Sequence, residues 1–163
     1  MKIFFCLFLF SFTLTNTGLQ AQVKHNLYTY QAAQVEFWYP NEWQIVEESQ
    51  VTTLQNKDGS LSITFSVMET DQIEEALIEL EAIIQTQLTQ PQITSDPEIV
   101  EFNGMMGVVS ELEGRINGSP VQLGVFMIDS PQNVLLVLGM GHELTLQKHH
   151  RILDKIIKSI KPI

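Results

Sequence analysis

From residue 61 to 68 apolar and polar side chains alternate, Leu61, Ile63, Phe65 and Val67 against Ser62, Thr64, Ser66 and Met68. A two-residue period puts each set on its own face of a strand. Asp58-Gly59 separates this run from "VTTLQ", so the pair predicts a hairpin closed by a tight turn. Upstream, "YTYQAAQVEFWYP" predicts two short strands with a turn between them. Within "VEFWY", Val35, Phe37 and Tyr39 share one face, while Glu36 and Trp38 take the other. Pro40 ends or edges that strand because it has no N–H for a ladder. "WQIVEE" then resumes extended structure, with Trp43, Ile45 and Glu47 on one side.

After Glu69 the period changes. Ile73, Ala76, Leu77, Leu80, Ile83, Ile84 and Leu88 follow steps of three and four, the stripe of an amphipathic helix. Thr70 or Asp71 can cap it, with Glu74 and Glu75 in the first turn, where the helix dipole favours anions. Pro91 and Pro97 bracket an exit loop. From Glu98 to Gly139 the turn signals Asn103-Gly104, Asn117-Gly118 and Ser130-Pro131 divide an antiparallel meander of about four strands. "VLLVL", Val134 to Leu138, is apolar without alternation, as expected of a central strand covered on both faces. "ELTLQKHHRILDKIIKSI" closes the chain as a second helix, with Leu146, His149, Ile152 or Leu153, Ile156, Ile157 and Ile160 buried. Two long helices and one sheet with a doubly buried strand predict an α+β, three-layer α/β/α sandwich with a helix on each face.

The first residues have a different character. "MKIFFCLFLFSFTLTNTGLQAQ" runs from one cation, Lys2, through an apolar stretch ending near Leu14 to a polar segment ending in Ala21. That is the order of a secretory signal peptide, and the stretch is shorter than the roughly twenty apolar residues a membrane anchor needs. The expectation is a leader at 1–21, cleavage near Ala21, and one domain over 22–163, periplasmic or secreted, soluble and without a stable membrane anchor. Cys6 lies inside the leader, so the exported chain has no disulfide, thiolate metal site or cysteine nucleophile.

Charge narrows the partners. The full chain carries nine lysines and arginines against nineteen acidic residues, a net charge of −10. Nucleic acid and anionic lipid are poor partners for such a chain, since binding a polyanion relies on cations that replace its counterions. The cations are also segregated. Only Lys57 and Arg115 lie between His25 and Gln147, whereas Lys148, Arg151, Lys155, Lys158 and Lys161 crowd the C-terminus. A basic helix folded back on an acidic body accounts for this.

Catalytic patterns are scarce. "GHELTLQKHH" invites a zinc-protease reading, which needs two histidines four residues apart. Leu146 occupies that position after His142, and His149 and His150 diverge by about 100° on a helix. No G-x-S-x-G elbow, phosphate loop or dinucleotide fingerprint occurs. Glu47-Glu48 and Glu74-Glu75 are sequence neighbours, not acids converging on a cleft. Asn117 heads an N-G-S sequon, but a turn between two strands already accounts for it.

The order of these segments carries a resemblance. "VEFWYPNEWQIV" resembles the aromatic-Y-P-x-x-W entry of the Mog1/PsbP-like superfamily, including its exported bacterial DcrB and DUF1795-type members. "DGSLSITFSV", "EIVEFNGMMGVVSE" and "HHRILDKIIKSIKPI" are similar to that superfamily's hairpin strand, strand–turn–strand and terminal helix. The resemblance covers about Tyr28 to Ile160. It implies an α/β/α sandwich and a non-enzymatic role among protein partners, with no catalytic set, cofactor or metal ligand to carry over. The leading expectation is an envelope domain that binds a protein partner or assists assembly, through Lys148, Arg151, Lys155 and Lys158. A small-molecule or lipid binder with a crevice beside Trp38 and Trp43 is the alternative, and a hydrolase the third.

Overall fold

The computed structural model describes residues 26–163. The leader and its cleavage site lie outside them. In chain order the elements are β1 (Asn26–Tyr30), β2 (Val35–Tyr39), β3 (Gln44–Glu48), β4 (Val51–Gln55), β5 (Leu61–Val67), α1 (Ile73–Gln87), β6 (Thr89–Phe102), β7 (Met105–Ile116), β8 (Ser119–Asp129), β9 (Val134–Gly141), α2 (Glu143–Lys158) and β10 (Lys161–Pro162). A 3-10 turn over Gln31–Ala33 joins β1 to β2.

A seven-stranded antiparallel sheet runs β3-β4-β5-β9-β8-β7-β6, and a separate three-stranded sheet runs β1-β2-β10. The meander read from Glu98 to Gly139 is β6 to β9. Its first two turns place Asn103 and Gly104 at φ 48° and 86°, and Asn117 and Gly118 at φ 51° and 82°. Two successive left-handed residues match the right-handed twist of the strands they join, which is why Asn-Gly recurs there.

Two expectations are corrected. The exit loop between Pro91 and Pro97 is part of strand β6. β6 is the sheet's edge, so its outward groups need no ladder partner, and register shifts between Thr89 and Gln92 and between Ser95 and Glu98 absorb the prolines. The aromatic segment does not extend the main sheet. β2 pairs instead with β1 and with β10, where Lys161 lies opposite Glu36.

Burial divides into two clusters, and β9 feeds both. Val134 and Leu136 pack with Ala76 and Leu80 of α1, while Leu135 and Val137 pack with Ile156 and Ile157 of α2. β9 lies between β5 and β8, which explains its unbroken apolar run. Phe37 of the small sheet stacks on Phe65 of β5, ring centroids 4.1 Å apart and planes 4° apart, and both side chains are fully buried. The fold is α+β, with a large antiparallel sheet and two helices.

Candidate functional site

α2 supplies the concentrated charge. At 100° per residue, Lys148, Arg151, Lys155 and Lys158 fall within about 80° of one another. All four are exposed. Their local surroundings differ. Lys158 Nζ pairs with Asp154 one turn back at 2.8 Å. Lys148 adds a minor contribution to holding the Asp58 carboxyl below its usual range, after the larger effect of hydrogen bonds from the Ser60 hydroxyl and N–H. Lys155 Nζ lies 3.8 Å from the centre of the Trp38 ring, a cation–π contact. Lys161, just past the helix, pairs with Glu36 at 2.8 Å.

The two tryptophans have separate environments. Trp43 is buried in the core, 6% exposed, and Phe37, six residues earlier, is fully buried. Tyr39 is half-buried against the same core. Trp38 is half-buried beneath α2, and its backbone N–H donates to Ser159 Oγ at 2.8 Å. Neither indole lines the three grooves described next.

The first groove, about 480 Å³, lies between α1 and the strands β6 to β8, with Leu77, Ile84, Ile93 and Met127 in its walls. Ile78 and Ile93 stand 72% and 70% exposed at its mouth. The second, about 650 Å³, lies between α2 and the sheet and has a mixed lining that includes Phe126, Leu153, Glu111 and His150. The third, about 510 Å³, has a mixed lining that includes Glu113, Arg115, His142 and Val121. Such volumes fall within the range of small-molecule sites, about 300–1,000 Å³.

Metal chemistry has little to build on. Among the described residues no three histidine, cysteine or acidic side chains converge on one point. His142 stands at the N-cap of α2, and His150 Nδ1 lies 2.7 Å from the Gln147 carbonyl. Tyr28 and Tyr30 are pushed above the usual phenol range, in each case chiefly by burial. Tyr28 also donates to Glu47 Oε1 at 2.6 Å, and Tyr30 donates to the Gln50 carbonyl.

Two side chains in this region have roles that the sequence reading missed. Asn103, read only as a turn residue, donates its amide to the carbonyls of Lys158 at 3.0 Å and Ile160 at 2.6 Å, tying off the end of α2. Ser159 accepts from Trp38 and donates to the Ile156 carbonyl at 2.6 Å. Asn and Ser favour such backbone bonding, but their partners are over fifty residues away in each long-range case, beyond any local pattern.

Together the two sheets, the central β9 and the terminal basic helix make an α+β domain. Solved structures agree. Cyanobacterial PsbP from Synechocystis sp. PCC 6803 is similar over 92% of this chain and 99% of its own, at 14% identity and a TM-score of 0.63. A protein of unknown function from Pseudomonas aeruginosa, described as a putative regulator, is similar over 85% of this chain and 97% of its own, at 15% identity and a TM-score of 0.60. LpqN of Mycobacterium tuberculosis, involved in cell envelope biogenesis, covers 87% of this chain and 88% of its own, at 10% identity and a TM-score of 0.50. No protein-family model and no curated protein sequence matches the chain. The likeness is one of fold, and it is the PsbP/Mog1-like fold that the segment order resembles.

Proposed function

We propose that this chain is a non-catalytic exported domain that binds a protein partner, or assists assembly, in the bacterial cell envelope, and that the outer face of α2 carries the contact. The observation behind this reading is the exposed stripe Lys148, Arg151, Lys155 and Lys158 on a chain of net charge −10. Concentrated charge of one sign steers an oppositely charged partner and fixes its orientation. Trp38 beneath Lys155 adds a broad aromatic surface of the kind that anchors interfaces. The envelope setting draws support from the apparent leader and from LpqN's role in its own organism. Among the described residues no helix is long and apolar enough to cross a membrane.

In this reading the domain is a three-layer sandwich with α1 on one face of the main sheet and α2, with the small sheet, on the other. The alternation of β9 residues between the α1 and α2 clusters supports it. A pull-down after mild crosslinking, repeated with all four cations reversed to Glu, tests the contact. Capture is lost on reversal if α2 is the interface; capture unchanged by reversal removes α2 from the account. A second reading, a small-ligand binder, is favoured by the groove beside α2.

A further inference from the structure

The floor of the groove between α2 and the sheet is built in an unusual way. Ile63, Gly139, Gly124 and Glu111 are direct cross-strand neighbours, one from each of β5, β9, β8 and β7. Directly opposed residues in antiparallel strands point to the same face. The row therefore crosses the middle of the sheet as an apolar residue, two bare glycines and a carboxylate. All four line the same groove, roofed by Leu146 and Leu153 of α2 and flanked by Phe102 and Phe126. The two rings meet edge to face, 6.3 Å between centroids.

Glycine weakens a strand interior and most often marks a bulge or a close approach of another group. Gly139 lies in an unbulged stretch, and a Cβ added to it would meet nothing within 4 Å. No neighbour in the fold requires glycine here. The missing side chains leave a trough where a large residue would otherwise pack beneath α2. Near Gly124 a Cβ would approach the Phe126 ring at 3.4 Å, ordinary contact.

The charge around the trough is unbalanced. Lys158 is neutralised by Asp154 at 2.8 Å. Glu111 and Glu143 also line the groove and form no ion pair among the described residues. Glu143 accepts a hydrogen bond from Gln147 at 3.1 Å, which leaves the Glu111 carboxylate, at the end of the glycine row, facing the trough without a cation. The Phe102 and Phe126 rings beside it give the trough an apolar wall for the guest's chain. An anionic amphiphile would meet repulsion there, and a neutral one would leave the carboxylate uncompensated.

We propose that this trough is a binding site for a cationic amphiphile, its apolar chain lying over Gly139 and Gly124 beneath Leu146 and Leu153 and its ammonium group against Glu111. The inference does not rest on the α2 partner contact: of that contact's four cations only Lys158 lines this groove, and there it is paired with Asp154.

Titration calorimetry and amide NMR with decyltrimethylammonium, decyl sulfate and decyl maltoside, each below its micelle concentration, test the site. The cation binds about tenfold or more tightly than the sulfate, and its shifts centre on Gly124, Gly139 and Phe126. Glu111→Gln cuts the preference for the cation over the maltoside by about fivefold or more, because only the charged guest loses a partner. Gly139→Leu weakens all guests by about tenfold, and Gly139→Ala, which has room for its methyl, weakens them less while keeping the native spectrum. Equal binding of cation and sulfate overturns the proposal, as do shifts centred on the α1 groove or affinities indifferent to both glycine variants.

Discussion

Replacing Phe37 by alanine should uncouple the two sheets. Phe37 has no exposed surface, stacks on Phe65 at 4.1 Å and meets Tyr28 at 5.4 Å, so it joins β2 of the small sheet to β5 of the large one. An aromatic side chain buries about 150–250 Å², which at about 25 cal/mol per Å² gives an upper bound of roughly 4–6 kcal/mol. Measured Phe-to-Ala losses in cores run about 3–5 kcal/mol, of which a ring pair supplies about 0.5–1.5. For a domain of this size that lowers the melting temperature by roughly 10–15 °C. Urea unfolding followed by circular dichroism reads the loss directly, and a cycle with Phe65→Ala isolates the coupling between the rings. Trp38→Ala, at a half-buried position, is the comparison and should cost clearly less. A loss at Phe37 under about 1.5 kcal/mol, or no larger than that at Trp38, would refute the claim that this stack holds the sheets together.

Other consequences follow from single contacts. Asn103→Ala removes two hydrogen bonds to the end of α2 and puts alanine, which tolerates the left-handed region less well than asparagine, at φ 48°, so it should cost about 1.5–3 kcal/mol by urea midpoint. Gly107→Ala would bring a methyl to 2.7 Å from the Met127 carbonyl oxygen and should destabilise by about 1–3 kcal/mol, whereas Gly139→Ala should be neutral or stabilising by up to about 1. Burial raises the Tyr28 and Tyr30 phenols, so the folded state disfavours their ionised form. Their contribution is fully present below the unfolded phenol value of about 10 and is lost as pH rises through the higher folded values. Urea midpoints should fall across that alkaline window, and less steeply in Tyr30→Phe; a midpoint flat to the onset of general unfolding would contradict the assignment.

Much of this architecture is legible in the sequence because its signals are local. The Asp58-Gly59, Asn103-Gly104 and Asn117-Gly118 turns, the alternation from Leu61 to Val67 and the helical stripes each depend on neighbours a few residues apart. β6 was misread because Pro91 and Pro97 signal a loop everywhere except at a sheet edge, and edge position is a property of the assembled sheet. The second sheet was missed because β10 contributes only Lys161 and Pro162, returning from the far end of the chain. For the aromatic cluster, alternation correctly separated Trp38 from Phe37. It could not reveal that Lys155 covers the indole or that Ser159, 121 positions away, holds its backbone. The glycine trough was equally hidden, since Gly124 and Gly139 become neighbours only once β8 and β9 are in register.

A photoreactive side chain tests the central claim most directly. Placed at Arg151 on α2, and separately at Glu74 on α1, it is exposed in both positions. Irradiation of the producing cells should give one discrete crosslinked protein from the Arg151 site and none from Glu74, with the yield falling as salt is raised if the contact is electrostatic. A discrete adduct from Glu74 alone, or an Arg151 adduct indifferent to salt, would contradict the account.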